Sequence, residues 1–165
     1  MEYTEETLQL LQKQENLLVF DQFASEDALE LGNLMVQLST DYGREVSIQI
    51  ARKSDDLIIF QYLGNSKTSA NCTYMEGKRK ACEESGHSSA YVYVANQLHG
   101  EYRHMFEQFP AYCPSAGAFP VRTGGSLSAV ISVSGLHEGK DHELIIRALE
   151  QKLHLNIGEF PYQLV

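Results

Sequence analysis

Gly124-Gly125 separates Phe119–Thr123 from Ser126–Ser134, and the second segment contains LSAVISVS, the strongest β-forming run in the chain. Two successive glycines accept the positive φ values of a two-residue turn, so this stretch reads as an antiparallel hairpin. Earlier, Val46, Ile48 and Ile50 alternate with Ser47, Gln49 and Ala51, the pattern of a half-buried strand. A polar turn over Lys53–Asp56 leads to Leu57–Leu63, which reads as a more buried partner strand. Two hairpins demand antiparallel pairing and exclude a regular βαβ alternation.

Helical segments surround them. The first covers residues 1–16, opens at Thr4 and carries Leu8 and Leu11 on one stripe. LLVF, Leu17–Phe20, reads as a short edge strand. Ser25 is the expected cap of a helix with Ala28, Leu31, Met35 and Leu38 on its buried face, stopped at Gly43. Thr68–Glu84 is helical and ends at Gly86; Ser88 is a candidate cap. Ala90–Leu98 fits either a strand or a buried helix. A short helix over Glu101–Phe109 stops at Pro110, and a last one spans about Asp141–Leu153. The order of helices, hairpin, helices, hairpin, helix predicts an α+β fold over residues 1–165 as one domain.

The net charge of −9 repels phosphate backbones and anionic lipid, so neither nucleic acid nor a membrane surface is an expected partner. The N-terminus lacks the basic start and apolar run of a secretion signal, and no apolar stretch reaches the roughly 20 residues of a bilayer span. Cys72 and Cys82 fall on one predicted helix, about 15 Å apart along its axis, too far for a disulfide. Reduced thiols in a cytoplasmic protein are the expectation.

Three places carry candidate chemistry. Lys78-Arg79-Lys80 is a basic cluster in an acidic chain; Arg79 suits a carboxylate or phosphate, although successive helical residues cannot all face one ligand. The alternative is a solvated face near a helix C-terminus. Ser134-Gly135 ends the strong strand, and Asp141 is placed to cap the last helix, whose first N–H groups would make an anion pocket. His142 is the candidate acid–base group there, its alternative being a polar residue of the first turn. His87 in GHSS is a candidate ligand contact or a joint-forming histidine. His137, Glu138, Asp141 and His142 include metal-ligand types but lack a paired spacing, and no metal is expected. Gly124-Gly125-Ser126 matches no phosphate-loop pattern.

Taken together, NCTYMEGKRKACEESGHSS (Asn71–Ser89), AGAFPVRTGG (Ala116–Gly125) and the VSGL…DHEL unit within Leu127–Leu149 resemble the haem-degrading domain family that includes GlcG-like and HbpS-like proteins. The resemblance runs from about Leu17 to Leu153 and is nearest to an uncharacterised branch. It implies a profilin-like fold, an antiparallel sheet with helices packed on both faces. It also implies a homo-oligomer and a small ligand, haem among the candidates, with the activity undefined. Lys78 and Arg79 would then serve the propionates, and His87 or His142 the iron. The branch usually has His-Gly-Gly before Phe-Pro; here Ser115, Ala116 and Gly117 stand at those positions. Two other readings stay open: an enzyme acting on a small carboxylate or phosphate metabolite, with His142 and Arg79 converging in one cleft, and a structural oligomer that binds no ligand.

Overall fold

The computed structural model describes residues 3–137 and 139–158. In chain order they form α1 (Glu5–Leu17), α2 (Ser25–Ser39), a short tight helical turn at Thr40–Tyr42, β1 (Ser47–Arg52) and β2 (Ile58–Leu63). There follow α3 (Ser69–Ser85), α4 (Ser89–His99), α5 (Arg103–Phe106), β3 (Ala118–Thr123), β4 (Ser126–Ser134) and α6 (Lys140–Leu153). The four strands form one sheet in the order β2-β1-β4-β3, antiparallel throughout. The two expected hairpins therefore join edge to edge through β1 and β4, with Ser47 opposite Ser134 and Ile50 opposite Ile131.

Central placement explains why β1 is buried on both faces rather than half-buried. Ile48 and Ile50 enter the main apolar core with Ile131, Val133, Phe119 and Val121, beneath α2 and α6. Ser47 and Gln49, on the opposite face, are also buried, because α3 covers them. Helices thus pack on both faces, as the resemblance implies. The outer layer continues with α4 beside α3, and α1 lies on α4 through Leu8, Leu11, Ala90 and Val94.

Several local expectations change. Leu57–Leu63 is not the more buried partner: β2 is an edge strand, and Leu57, Ile58 and Tyr62 are exposed. LLVF does not form a strand; Leu17 ends α1, and Phe20 alone makes a single parallel bridge to Thr123, its N–H donating to the Arg122 carbonyl at 3.0 Å. Ser25 is the first helical residue of α2, and the cap is Ala24, whose N–H donates to Asp27 Oδ2 at 2.8 Å. The ambiguous Ala90–Leu98 stretch is α4, capped by Ser88 Oγ, which accepts from the Tyr91 N–H at 3.1 Å. Tertiary burial of Ala90, Val92, Val94 and Ala95 there overrides β propensity. All three cysteines are free thiols. Among the described residues, no helix is long and apolar enough to cross a membrane.

Candidate functional site

Beneath α3, the sheet is polar at the end where β1 starts and β4 finishes. Ser47, Gln49, Ser132 and Ser134 face the helix there. Lys78 of α3 reaches this end and is only 4% exposed. Its Nζ donates to the Val133 carbonyl at 2.8 Å and to Asp141 Oδ2 at 2.9 Å. Asp141 Oδ1 in turn accepts the Leu136 N–H at 2.9 Å, so one carboxylate ties α3, the β4–α6 loop and the first turn of α6. Burial pushes the Asp141 carboxyl up, against the pull of Lys78 and the Leu136 N–H. The ammonium fits only because residue 117 is glycine: φ is +132° there, and a Cβ would stand 2.7 Å from Lys78 Nζ.

This pair forms part of the wall of a cleft of about 660 Å³ beyond the end of β4, within the usual range of roughly 300–1,000 Å³ for small-molecule sites. Ser134, Gly135 and His137 line it from the β4–α6 loop, Arg44 and Glu45 from before β1, and Lys67 and Asn71 from the start of α3. Across from them stand Cys113 and Ser115, whose Sγ and Oγ are 3.5 Å apart. Tyr74 and Phe109 close the mouth as a stacked pair with ring centroids 6.1 Å apart. They are 38% and 58% exposed, a flat apolar surface open to a ligand. Glu45 is occupied by Ser66, whose N–H and Oγ both donate to Oε2 at 2.6 Å, and these bonds hold its carboxyl below the usual range, with Lys67 adding to the effect. Among the described residues, Arg44 and Lys67 take part in no ion pair. The cleft of an acidic protein thus presents cations.

Residues 23–150 match the family described as Haem degrading protein HbpS-like. The chain belongs to that family. A UPF0303 protein of Streptomyces coelicolor is 32% identical over 154 residues, covering 90% of this chain and 94% of its own. Another, from Psychromonas ingrahamii, is 32% identical over 151 residues, covering 88% and 92%. The HbpS-like fold recurs in the crystal structure of Ybr137w (TM-score 0.77, 21% identity, 86% of this chain and 84% of that one). It recurs also in HbpS (0.63, 18%, 83% and 91%) and in a PduOC:haem complex (0.64, 11%, 83% and 99%).

Of the residues singled out from sequence, Lys78, Ser134, Gly135 and Asp141 meet in this cleft. Asp141 is not the helix cap, which is Gly139; it lies inside the first turn of α6, where its carboxylate reaches the loop and Lys78. Arg79 points elsewhere, to Glu76, to Glu83 at 3.7 Å and to Asp56 at 4.0 Å. His87 Nδ1 meets buried Glu15 Oε2 at 2.8 Å and its ring stacks on Tyr91, fastening α1 to the α3–α4 joint. His142 is fully buried against Phe119, its Nε2 2.7 Å from Gln14 Oε1 of α1, and burial pushes its pKa down to about 3. His142 and Arg79 do not line this cleft and do not converge on one another. Glu138, read as a ligand type, lies outside the described residues.

Lys67, Arg44, Tyr74 and Phe109 were not singled out from sequence. Lys67 had one usable signal, its position immediately before the Thr68 cap of α3. The others precede a strand or sit in a helix face and an irregular segment, where only tertiary structure reveals the shared cleft.

Proposed function

We propose that this protein is a ligand-binding domain whose cleft between α3, the β4–α6 loop and the 109–116 segment takes a small anionic ligand, with haem the candidate that the family supplies. The observation that carries this reading is the cleft itself: cations not used in ion pairs and an exposed aromatic pair share one cavity in a chain of net charge −9. The residues present fit haem. Tyr74 and Phe109 offer a flat apolar contact, Lys67 and Arg44 offer charge for propionates, and His137 and Cys113 offer donors of the type that hold haem iron. Bound haem would supply a redox-active iron, and His137 or Cys113 would hold it, in surroundings whose polarity the cleft sets. In this reading His137 or Cys113 takes the iron role expected above of His87 or His142, and Lys67 with Arg44 takes the propionate role expected of Lys78 and Arg79. An oligomer belongs to the same proposal, supported by the apolar residues left exposed along edge strand β2.

Titration of the purified protein with haem, followed by absorbance, tests this. The expected result is a saturable, shifted haem band at micromolar or tighter affinity, altered by His137→Ala or Cys113→Ala and unchanged by His142→Leu. The absence of a saturable shift ends the haem reading.

A further inference from the structure

The capping of α3 sets the direction of hydrogen bonds in the cleft wall. Thr68 is the cap, and its N–H donates to Asn71 Oδ1 at 3.1 Å. That bond uses the amide oxygen, so Asn71 turns its NH₂ toward β4, where Nδ2 donates to Ser134 Oγ at 3.2 Å. Ser134 Oγ is therefore an acceptor on that side, and its own proton points away from Asn71. Ser134 is 5% exposed, lines the cleft, and its hydroxyl donates to no acceptor among the described residues. A buried hydroxyl proton with no acceptor, at the wall of an open cavity, calls for an acceptor on the ligand.

A cation stands beside it. Gly135 has φ +136°, and a Cβ there would meet the Glu45 carbonyl oxygen at 2.7 Å and Lys67 Nζ at 3.2 Å. The missing side chain is what lets the Lys67 ammonium lie against the residue next to Ser134. Lys78, by contrast, already holds Asp141 at 2.9 Å. The wall thus offers a full positive charge and a buried hydroxyl donor side by side, with the second N–H of Asn71 adjoining.

We infer that Lys67 and Ser134, set by Asn71 and Gly135, form a carboxylate seat, and that the ligand of this cleft is a flat aromatic or macrocyclic acid whose carboxylate docks there while its ring meets Tyr74 and Phe109. The inference rests on the cleft being the binding site; it adds the anion's identity and the residues that choose it. A carboxylate matches the donors: it is planar, carries one charge to the Lys67 ammonium, and brings one oxygen to each donor. A phosphate dianion would bring a second charge toward ionised Glu45, which lines the same wall.

Benzoate and its methyl ester are the probes for the seat, measured by calorimetry or ligand-observed NMR on the full chain. Benzoate should bind saturably and its ester at least about tenfold more weakly, since a charge-assisted hydrogen bond is worth about that or more. Lys67→Met and Ser134→Ala should each weaken benzoate by about tenfold and leave the ester unchanged, while Arg79→Ala changes neither. Equal binding of acid and ester, no saturable benzoate binding, or benzoate binding untouched by both cleft variants overturns the seat. Titrations run well below each variant's own melting transition show that any loss is not unfolding. Haem titration stands apart: a protein that takes benzoate as described but gives no haem shift keeps the seat and loses the haem reading, and one that binds haem but not benzoate does the reverse.

Discussion

The two faces of the sheet are built from the same strands by different rules. Toward α2 and α6, alternate residues of β1, β3 and β4 are apolar: Ile48, Ile50, Phe119, Val121, Ile131 and Val133. Toward α3, the residues between them are Ser47, Gln49, Ser132 and Ser134 near the cleft, giving way farther along to Ala118 and Val130, which pack on Cys82 of α3. Both faces are covered, but only one is dry hydrocarbon. Burying serine, glutamine and lysine where isoleucine would pack costs desolvation that hydrogen bonds only partly offset. A chain able to make the first face could have made the second the same way. The polar end lies where the cleft opens.

The largest expected effect breaks the polar face at its ion pair. Asp141→Ala leaves the Lys78 ammonium buried without its carboxylate and should cost about 3–5 kcal/mol in chemical denaturation. The double variant Lys78→Met/Asp141→Leu removes both charges and should recover most of that loss. If the single and double variants are equally unstable, the pair is not what holds this end together. On the dry face, Ile131→Ala should cost about 2–5 kcal/mol through the cavity it leaves. The rescue by a second substitution is what separates the two faces, since no partner change refills the Ile131 cavity.

The difference between the faces also explains what the sequence could and could not reveal. The period-two alternation in VSIQIA identified a strand and its apolar side, because burial of isoleucine writes itself into spacing. The same alternation suggested that Ser47 and Gln49 face water, and the helix that covers them starts at least twenty residues away in sequence, beyond the reach of any window. LIIFQYL is as apolar as a central strand, yet its position in the sheet order places it at an edge. At the site, Lys78, Ser134, Gly135 and Asp141 were legible from one local unit and one basic cluster. Which of Lys78 and Arg79 enters the cleft depends on the rotation of α3 against the sheet. His142 was legible as a polar residue at a helix start, but α1, which brings Gln14 to it, carries no motif that announces the contact.

His142 gives the comparison a pH axis. Its pKa falls from the ordinary 6.5 to about 3 because burial disfavours the charged ring. A histidine whose folded value lies below its unfolded one binds fewer protons folded than unfolded. Its contribution is therefore fully present above pH 6.5 and is lost as pH falls toward about 3. Between those limits the unfolding free energy should fall by up to about 1.4 kcal/mol per pH unit from this one group. Asp141 acts in the opposite sense: its carboxyl is raised, so its ionisation weighs against the folded state as pH climbs above 3.8. Denaturation of the parent and of His142→Leu at a series of pH values separates them. The variant should be less stable at pH 7 and should show a slope toward acid that is smaller by close to one proton. An unchanged slope would mean that the ring titrates in the folded protein.

The smallest effect is also the most discriminating. Ser132 faces α3 beside Gln49, and its Oγ is buried with no hydrogen-bond partner among the described residues. A hydroxyl that fills no bond contributes only its volume, less the cost of taking it from water. Ser132→Ala should therefore lie within about 1 kcal/mol of the parent, with either sign, although the residue is as buried as Ile131. Ser134→Ala, two residues on, removes the acceptor of Asn71 and should cost more. If Ser132→Ala proves as damaging as Ser134→Ala, the polar face is a connected network that reaches across the sheet from the cleft. If it is neutral, the ordered polarity is confined to the cleft wall, and Ser132 is a buried serine that an alanine can replace.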